Sequence, residues 1–205
     1  VKIKGFTAAP ICALLMVIIG GCGASPPSDF FIMTPMTEAD TRPAVPPPDG
    51  SLSLVVGPVS IPEYLNRTQI VTRAGTNRLN VNEFNRWGGS FTPNISRVVA
   101  QNLSAILGTD DVFVFPAEDT LSPRYRIILS LTQFDGALGD SVVLDTRWVI
   151  TTPRSKNPPA TGRTIAKEST NGGSYEDYVA AQSRALAKLS QDIAAKIKVL
   201  LAAEK

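Results

Sequence analysis

Apolar and polar positions alternate over residues 51–56, with Leu52, Leu54 and Val56 on one face, the two-residue period of a half-buried strand. Residues 69–73 and 78–81 read as two paired strands, joined by the turn residues Gly75, Thr76 and Asn77. The period then lengthens. Over residues 93–107, Ile95, Val98, Val99, Leu103, Ile106 and Leu107 fall on one helical stripe, interrupted only by Asn102. Thr92 stands where a cap belongs, Pro93 suits the first turn and Gly108 ends the helix. Residues 111–115 follow as a short buried strand. Strict alternation returns over residues 124–134, with Tyr125, Ile127, Leu129 and Leu131 on one side. Residues 142–151 place Val142, Leu144, Trp148 and Ile150 on one face, and residues 161–170 form a more polar third strand. These three make an antiparallel meander. A final helix over residues 175–201 opens on Ser174 and Asp177, spaced as a capping box, and buries a stripe from Tyr175 and Tyr178 to Leu189, Ile197 and Leu200. At about 1.5 Å per residue it is about 40 Å long and needs most of a sheet to lie on. The fold class is α/β: a layered sandwich with a mixed, mostly antiparallel sheet and two main helices.

One stretch departs from both periods. In VGPVSIPEYLNRTQIVTR, residues 56–73, Pro58 and Pro62 each remove a backbone donor from what is otherwise strand sequence. Proline in that setting belongs at a sheet edge or a strand end, where it also blocks adventitious strand addition. The connection to the next strand then carries Glu63, Tyr64, Leu65, Asn66 and Arg67, with Gln69 opening the strand. Tyrosine supplies amphipathic area and arginine a fixed donor fork, which makes both frequent interface anchors. Pro62, Tyr64, Leu65, Arg67, Gln69, Arg86 and Trp87 are therefore candidates for a partner-binding surface. The alternative is structural: Tyr64, Leu65 and Trp87 packed in the core, with Arg67 and Arg86 paired to nearby carboxylates.

The N-terminus sets the setting. Lys2 and Lys4 precede a nine-residue apolar run, Ile11 to Ile19, and two glycines. The run is too short to span a bilayer, which takes about 20 residues, and fits the core of a secretory signal. Cys22 follows at the expected cleavage point, between Gly21 and Cys22, in an arrangement that resembles the bacterial lipoprotein signal, although Ile19 stands where leucine is usual. Residues 1–21 are thus expected to be a signal peptide, residues 22–50 an acylated cysteine with a proline-rich tether, and residues 51–205 one α/β domain. Lys2 and Lys4 would leave with the peptide and no acid would, so the formal charge of +2 falls to zero. A neutral chain lacks the footprint that nucleic-acid binding requires.

The chain contains no histidine, and the other of its two cysteines, Cys12, lies inside the signal. Histidine-dependent nucleophilic systems, zinc sites built from His or Cys, and disulfides are thereby removed. Paired carboxylates or a Ser-Lys dyad remain formally open, but an enzyme is not expected. Asp110–Asp111, and Asp135 with Asp140, read as turn chemistry in preference to metal ligation. Asp145 and Arg147 share a strand face as a surface pair.

An ordered set of short segments then carries a resemblance: Val56-Gly57-Pro58-Val59, Ile61 to Arg67, Gln69-Ile70-Val71 and Phe84-Asn85-Arg86-Trp87, after a lipoprotein signal and a proline spacer. The chain resembles the ABC-type transport auxiliary lipoproteins over essentially the whole domain. Gly88-Gly89-Ser90-Phe91 departs from the family pattern, which continues with a small residue, an acid, Pro and Leu. The resemblance implies Rossmann-like layers without a nucleotide site, and no cofactor beyond N-acyl and S-diacylglycerol groups on Cys22. It implies an outer-membrane lipoprotein facing the periplasm, a location that Gly23 in place of aspartate favours. The implied partners are a mammalian-cell-entry-type substrate-binding protein and an inner-membrane transport component, with a homo-oligomer also in prospect. Two other functions stay open on the sequence: a periplasmic lipid carrier, and an activator of a cell-wall enzyme.

Overall fold

The computed structural model describes residues 26–37, 52–116, 123–153 and 158–203. The signal peptide, the Gly21–Cys22 cleavage point, Cys22 itself and most of the tether lie outside the described residues. So does the centre of the turn expected at residues 153–159.

The meander forms as the alternation dictates. Strands β6 (Tyr125–Gly136), β7 (Ser141–Thr151) and β8 (Ala160–Ser169) pair antiparallel. Cross-strand partners Ile127–Ile150 and Leu129–Trp148 bring the apolar faces together. Strand β2 (Leu54–Ser60) adds to β6 in parallel, and β5 (Val112–Val114) adds to β2, giving the order β5-β2-β6-β7-β8. Helices α1 (Phe91–Leu107) and α2 (Tyr175–Ala203) pack on one face of this sheet and against each other. Between the layers lie Leu54, Ile127, Leu129, Leu144, Ile95, Leu103, Leu189 and Ile193, all at 1 % exposure or less. The capping box at α2 is present: the Asp177 amide donates to Ser174 Oγ at 3.1 Å, and the Ser174 amide to Asp177 Oδ2 at 3.2 Å. The Ser174 bonds hold the Asp177 carboxyl below the usual carboxylate range.

Helix α1 starts two residues before the proline-based expectation, with Ser90 and not Thr92 at the cap position. The reason is aromatic. Phe91 is buried, stacked on Trp87 with centroids 4.7 Å apart and on Phe134 at 5.7 Å, so its burial draws it into the first turn. The helix ends at Gly108, whose φ of 67° is the left-handed conformation of a glycine stop.

The main departure is that the strands form two sheets, not one. Strands β3 (Gln69–Gly75) and β4 (Arg78–Trp87) make an antiparallel hairpin, and β1 (Asp29–Phe31) joins β4 in parallel. This small sheet meets the large one at the end of β6 and at the first turns of both helices. The Tyr178 hydroxyl donates to the Val71 carbonyl at 3.0 Å, and Phe31 meets Tyr175. Beyond β1 the chain runs as an extended strap across the helix pair. The Met33 amide donates to Asn94 Oδ1, the Thr34 amide to Ser183 Oγ and the Met36 amide to Asn102 Oδ1. Asn102, fully buried, also donates to Ser190 Oγ at 3.3 Å, which explains an amide inside an apolar stripe.

Strand β2 accommodates its first proline at an irregularity. Pairing with β5 ends at Val56, and the register with β6 shifts between Val56 and Val59. Gly57 and Pro58 occupy the shift, so no ladder bond is asked of the proline nitrogen. The strand is interior over its first half, contrary to the edge position considered for it.

Candidate functional site

The connection from β2 to β3 is a short 3-10 turn, Glu63–Leu65, with Pro62 at its N-cap. The Leu65 amide donates to the Pro62 carbonyl and the Asn66 amide to the Glu63 carbonyl, each at 3.0 Å. The second proline thus ends one element and starts the next. This tight turn sends Leu65 inward, at 4 % exposure, and turns Tyr64 along the surface.

Tyr64 has a specific anchor. Its hydroxyl donates to Asp135 Oδ2 at 2.6 Å. Arg73 of β3 grips the same carboxylate with two bonds, Nε to Oδ1 at 2.6 Å and a terminal nitrogen to Oδ2 at 3.0 Å. Gln133 Nε2 adds a bond to Oδ1 at 2.9 Å. The Asp135 side chain has no exposed surface, whereas Arg73 keeps 31 % of its own. Burial, with the hydrogen bond to Asp135 second, pushes the Tyr64 phenol up to about 12. Burial likewise pushes the Tyr178 phenol up, with the Asp135 charge next in weight. Four donated bonds give this buried carboxylate the partners its desolvation demands. The expectation that Asp135 belongs to a turn is corrected: it is the last residue but one of β6 and ties the 3-10 turn and the small sheet to the large one.

The other polar candidates follow the turn, Arg67 just after it, Gln69 at the start of β3 and Arg86 near the end of β4. Arg67 is exposed, and its guanidinium has no hydrogen bond or ion pair with the described residues. Gln69 and Arg86 are cross-strand partners. Gln69 Nε2 donates to Glu83 Oε2 at 2.9 Å, while Arg86 Nε donates to the Glu83 carbonyl at 2.7 Å and lies 3.5 Å from its carboxylate. The structure therefore sets Gln69 and Arg86 side by side on the small sheet, with Pro62, Tyr64 and Arg67 on the connection that leads into it. It removes two candidates: the side chains of Leu65 and Trp87 are core, Trp87 at 6 % exposure and stacked on Phe91. Their apolar area is already buried within the chain, so neither is presented to a partner.

Another pairing is also corrected. Asp145 is bound by Arg163 of β8, in two bonds at 2.8 and 2.7 Å, and not chiefly by Arg147. The Arg163 bonds hold its carboxyl below the usual range, with Arg147 a minor contributor. Among the described residues no cluster of His, Cys, Asp or Glu is arranged to hold a metal ion, and no helix is long and apolar enough to cross a membrane.

With this geometry in place, comparison with known proteins is informative. The sequence model of the family described as "ABC-type transport auxiliary lipoprotein component" matches residues 35–194. No curated protein matches the chain. Among solved structures, the chain is similar to an uncharacterised protein, 16 % identical, with a TM-score of 0.67 over 84 % of this chain and 99 % of that one. It is also similar to a Xanthomonas campestris protein of the DUF330 family, 14 % identical, with a TM-score of 0.58 over 80 % of this chain and 92 % of that one. At such identities these likenesses bear on the fold alone.

Proposed function

The chain belongs to the ABC-type transport auxiliary lipoprotein family, and on that premise we propose that it is an accessory subunit held by acyl groups on Cys22 at the periplasmic face of the outer membrane. There it organises a lipid-transport assembly through contacts with a mammalian-cell-entry-type substrate-binding protein and an inner-membrane transport component. Two or more acyl chains, each contributing about 0.8 kcal/mol per buried CH₂, make such an anchor firm.

One observation carries the reading of the surface. The unpartnered Arg67 fork stands on a turn whose foot is fixed by Tyr64 and Asp135. The backbone that carries it is already fixed, so binding has to order only the side chain and not the turn, and the planar guanidinium fork is itself pre-organised for paired contacts. Arg67, Gln69 and Arg86, with Pro62 beside them, form the proposed contact face. Leu65 and Trp87 support it from inside.

Charge reversal tests the face. An Arg67→Glu, Arg86→Glu protein is expected to keep its melting temperature and to fail to rescue a deletion strain. A folded double variant that rescues fully contradicts the reading. The anchor has its own test: Cys22→Ser is expected to lose palmitate labelling and leave the outer-membrane fraction.

A lipid carrier would need an enclosed apolar cavity. Among the described residues, surface grooves of about 390 and 430 Å³ run along α2, partly walled by the strap.

A further inference from the structure

Phe30 and Ile32 are 66 % and 56 % exposed, the former the highest value among the large apolar side chains described. Two residues apart on extended chain, they point to the same side, while Phe31 between them turns inward to Tyr175 at 6.1 Å. Strand β1 is the edge of the small sheet, with no further strand beyond it among the described residues. The two side chains form a short ridge beside the first turns of α2, lining a groove with Val179 and Ala180.

We infer that this ridge rests in the interfacial layer of the membrane that carries the chain's own acyl anchor. The inference rests on the proposed acylation of Cys22. Phe30 lies eight positions after Cys22, with seven residues between them. At about 3.3–3.6 Å per residue, even a fully extended tether keeps Phe30 within about 30 Å of the anchored cysteine. Of these seven residues only Asp29, next to Phe30, is charged. A tether this short makes contact with the bilayer intramolecular, so two apolar side chains suffice where a free domain would need many more. An aromatic ring suits the headgroup level. Phe30 stands in register with Arg86 on β4 and Glu176 lines the groove beside it, so the ridge is flanked by charges of both signs.

The full acylated chain in phosphatidylcholine–phosphatidylethanolamine vesicles provides the test. Loss of Cys12 with the signal and acylation of Cys22 leave no free thiol, so a single introduced cysteine takes an environment-sensitive dye alone. Dye on Phe30→Cys or Ile32→Cys is expected to show blue-shifted emission and to be quenched by nitroxide-bearing lipid. Dye on Leu79→Cys, at the tip of the β3–β4 hairpin, is expected to show neither. Emission at positions 30 and 32 that is no more lipid-quenched than at 79 overturns the inference, whether water or a second copy covers the ridge. Labelling of the chain without an added cysteine overturns the anchor, and this inference with it.

Discussion

Asp135 has no exposed surface yet stays bound to a guanidinium, a phenol and an amide that come from three separate segments. Removing one member of such a buried set strands the others without partners. Asp135→Ala is expected to destabilise the fold by about 3–5 kcal/mol in urea unfolding, the penalty typical of breaking a buried pair. Tyr64→Phe, which deletes one bond to a charged acceptor, should cost about 1.5–2 kcal/mol. The raised Tyr64 value has a pH signature. The fold favours the neutral phenol, so this contribution is whole below the ordinary value of 10.0 and is lost as pH rises through the window up to about 12. Absorbance titration at 295 nm is expected to show a tyrosinate component near 12 that Tyr64→Phe removes; a parent protein whose tyrosines all ionise near 10 contradicts the geometry. None of this was legible beforehand. Asp135 precedes a glycine at the end of an alternating run, the local signature of a turn, and its partners lie 62 and 71 positions away. Nor does sequence separate a displayed Trp87 from a buried one, because the deciding contact, Phe91, is itself placed by helix packing.

Elements were far more legible than contacts. The meander, both helices, the Ser174–Asp177 box and the Gly108 stop follow from periods and caps, which are local. The split into two sheets does not, because β1 and β4 pair in parallel across 56 positions by their register, and no local pattern distinguishes that from membership of the main sheet. Two element-scale predictions probe what was hidden. Asn102 holds both the strap and α2, so Asn102→Ala is expected to speed hydrogen exchange at the Met36 amide well beyond its effect on Thr72 in β3. Equal acceleration at both sites would mean global loosening instead. In β8, Gly162 lies under the Trp148 indole, whose Nε1 donates to Thr164 Oγ1 at 3.1 Å. A methyl group there would run into the ring, and Gly162→Ala is expected to cost about 1–3 kcal/mol, with the tryptophan fluorescence shifted. Unchanged stability would show that the indole is free to move aside.

At the scale of the whole molecule, a two-layer body carries a second small sheet at the end where the chain enters. That sheet and the turn leading into it carry the proposed Arg67, Gln69 and Arg86 face and the Phe30–Ile32 ridge, and Asp135 links them to the main sheet. Membership of a transport auxiliary family is the premise of the proposed adaptor role. The most direct measurement is affinity purification of the tagged, acylated chain from detergent-solubilised envelopes, with mass spectrometry of what co-elutes. The expected result is a mammalian-cell-entry-type protein together with a transport permease, both lost from the Arg67→Glu, Arg86→Glu variant. Recovery of a cell-wall synthase or peptidoglycan in their place, or of the same transport proteins undiminished with the variant, would contradict the adaptor and the face assigned to it, respectively.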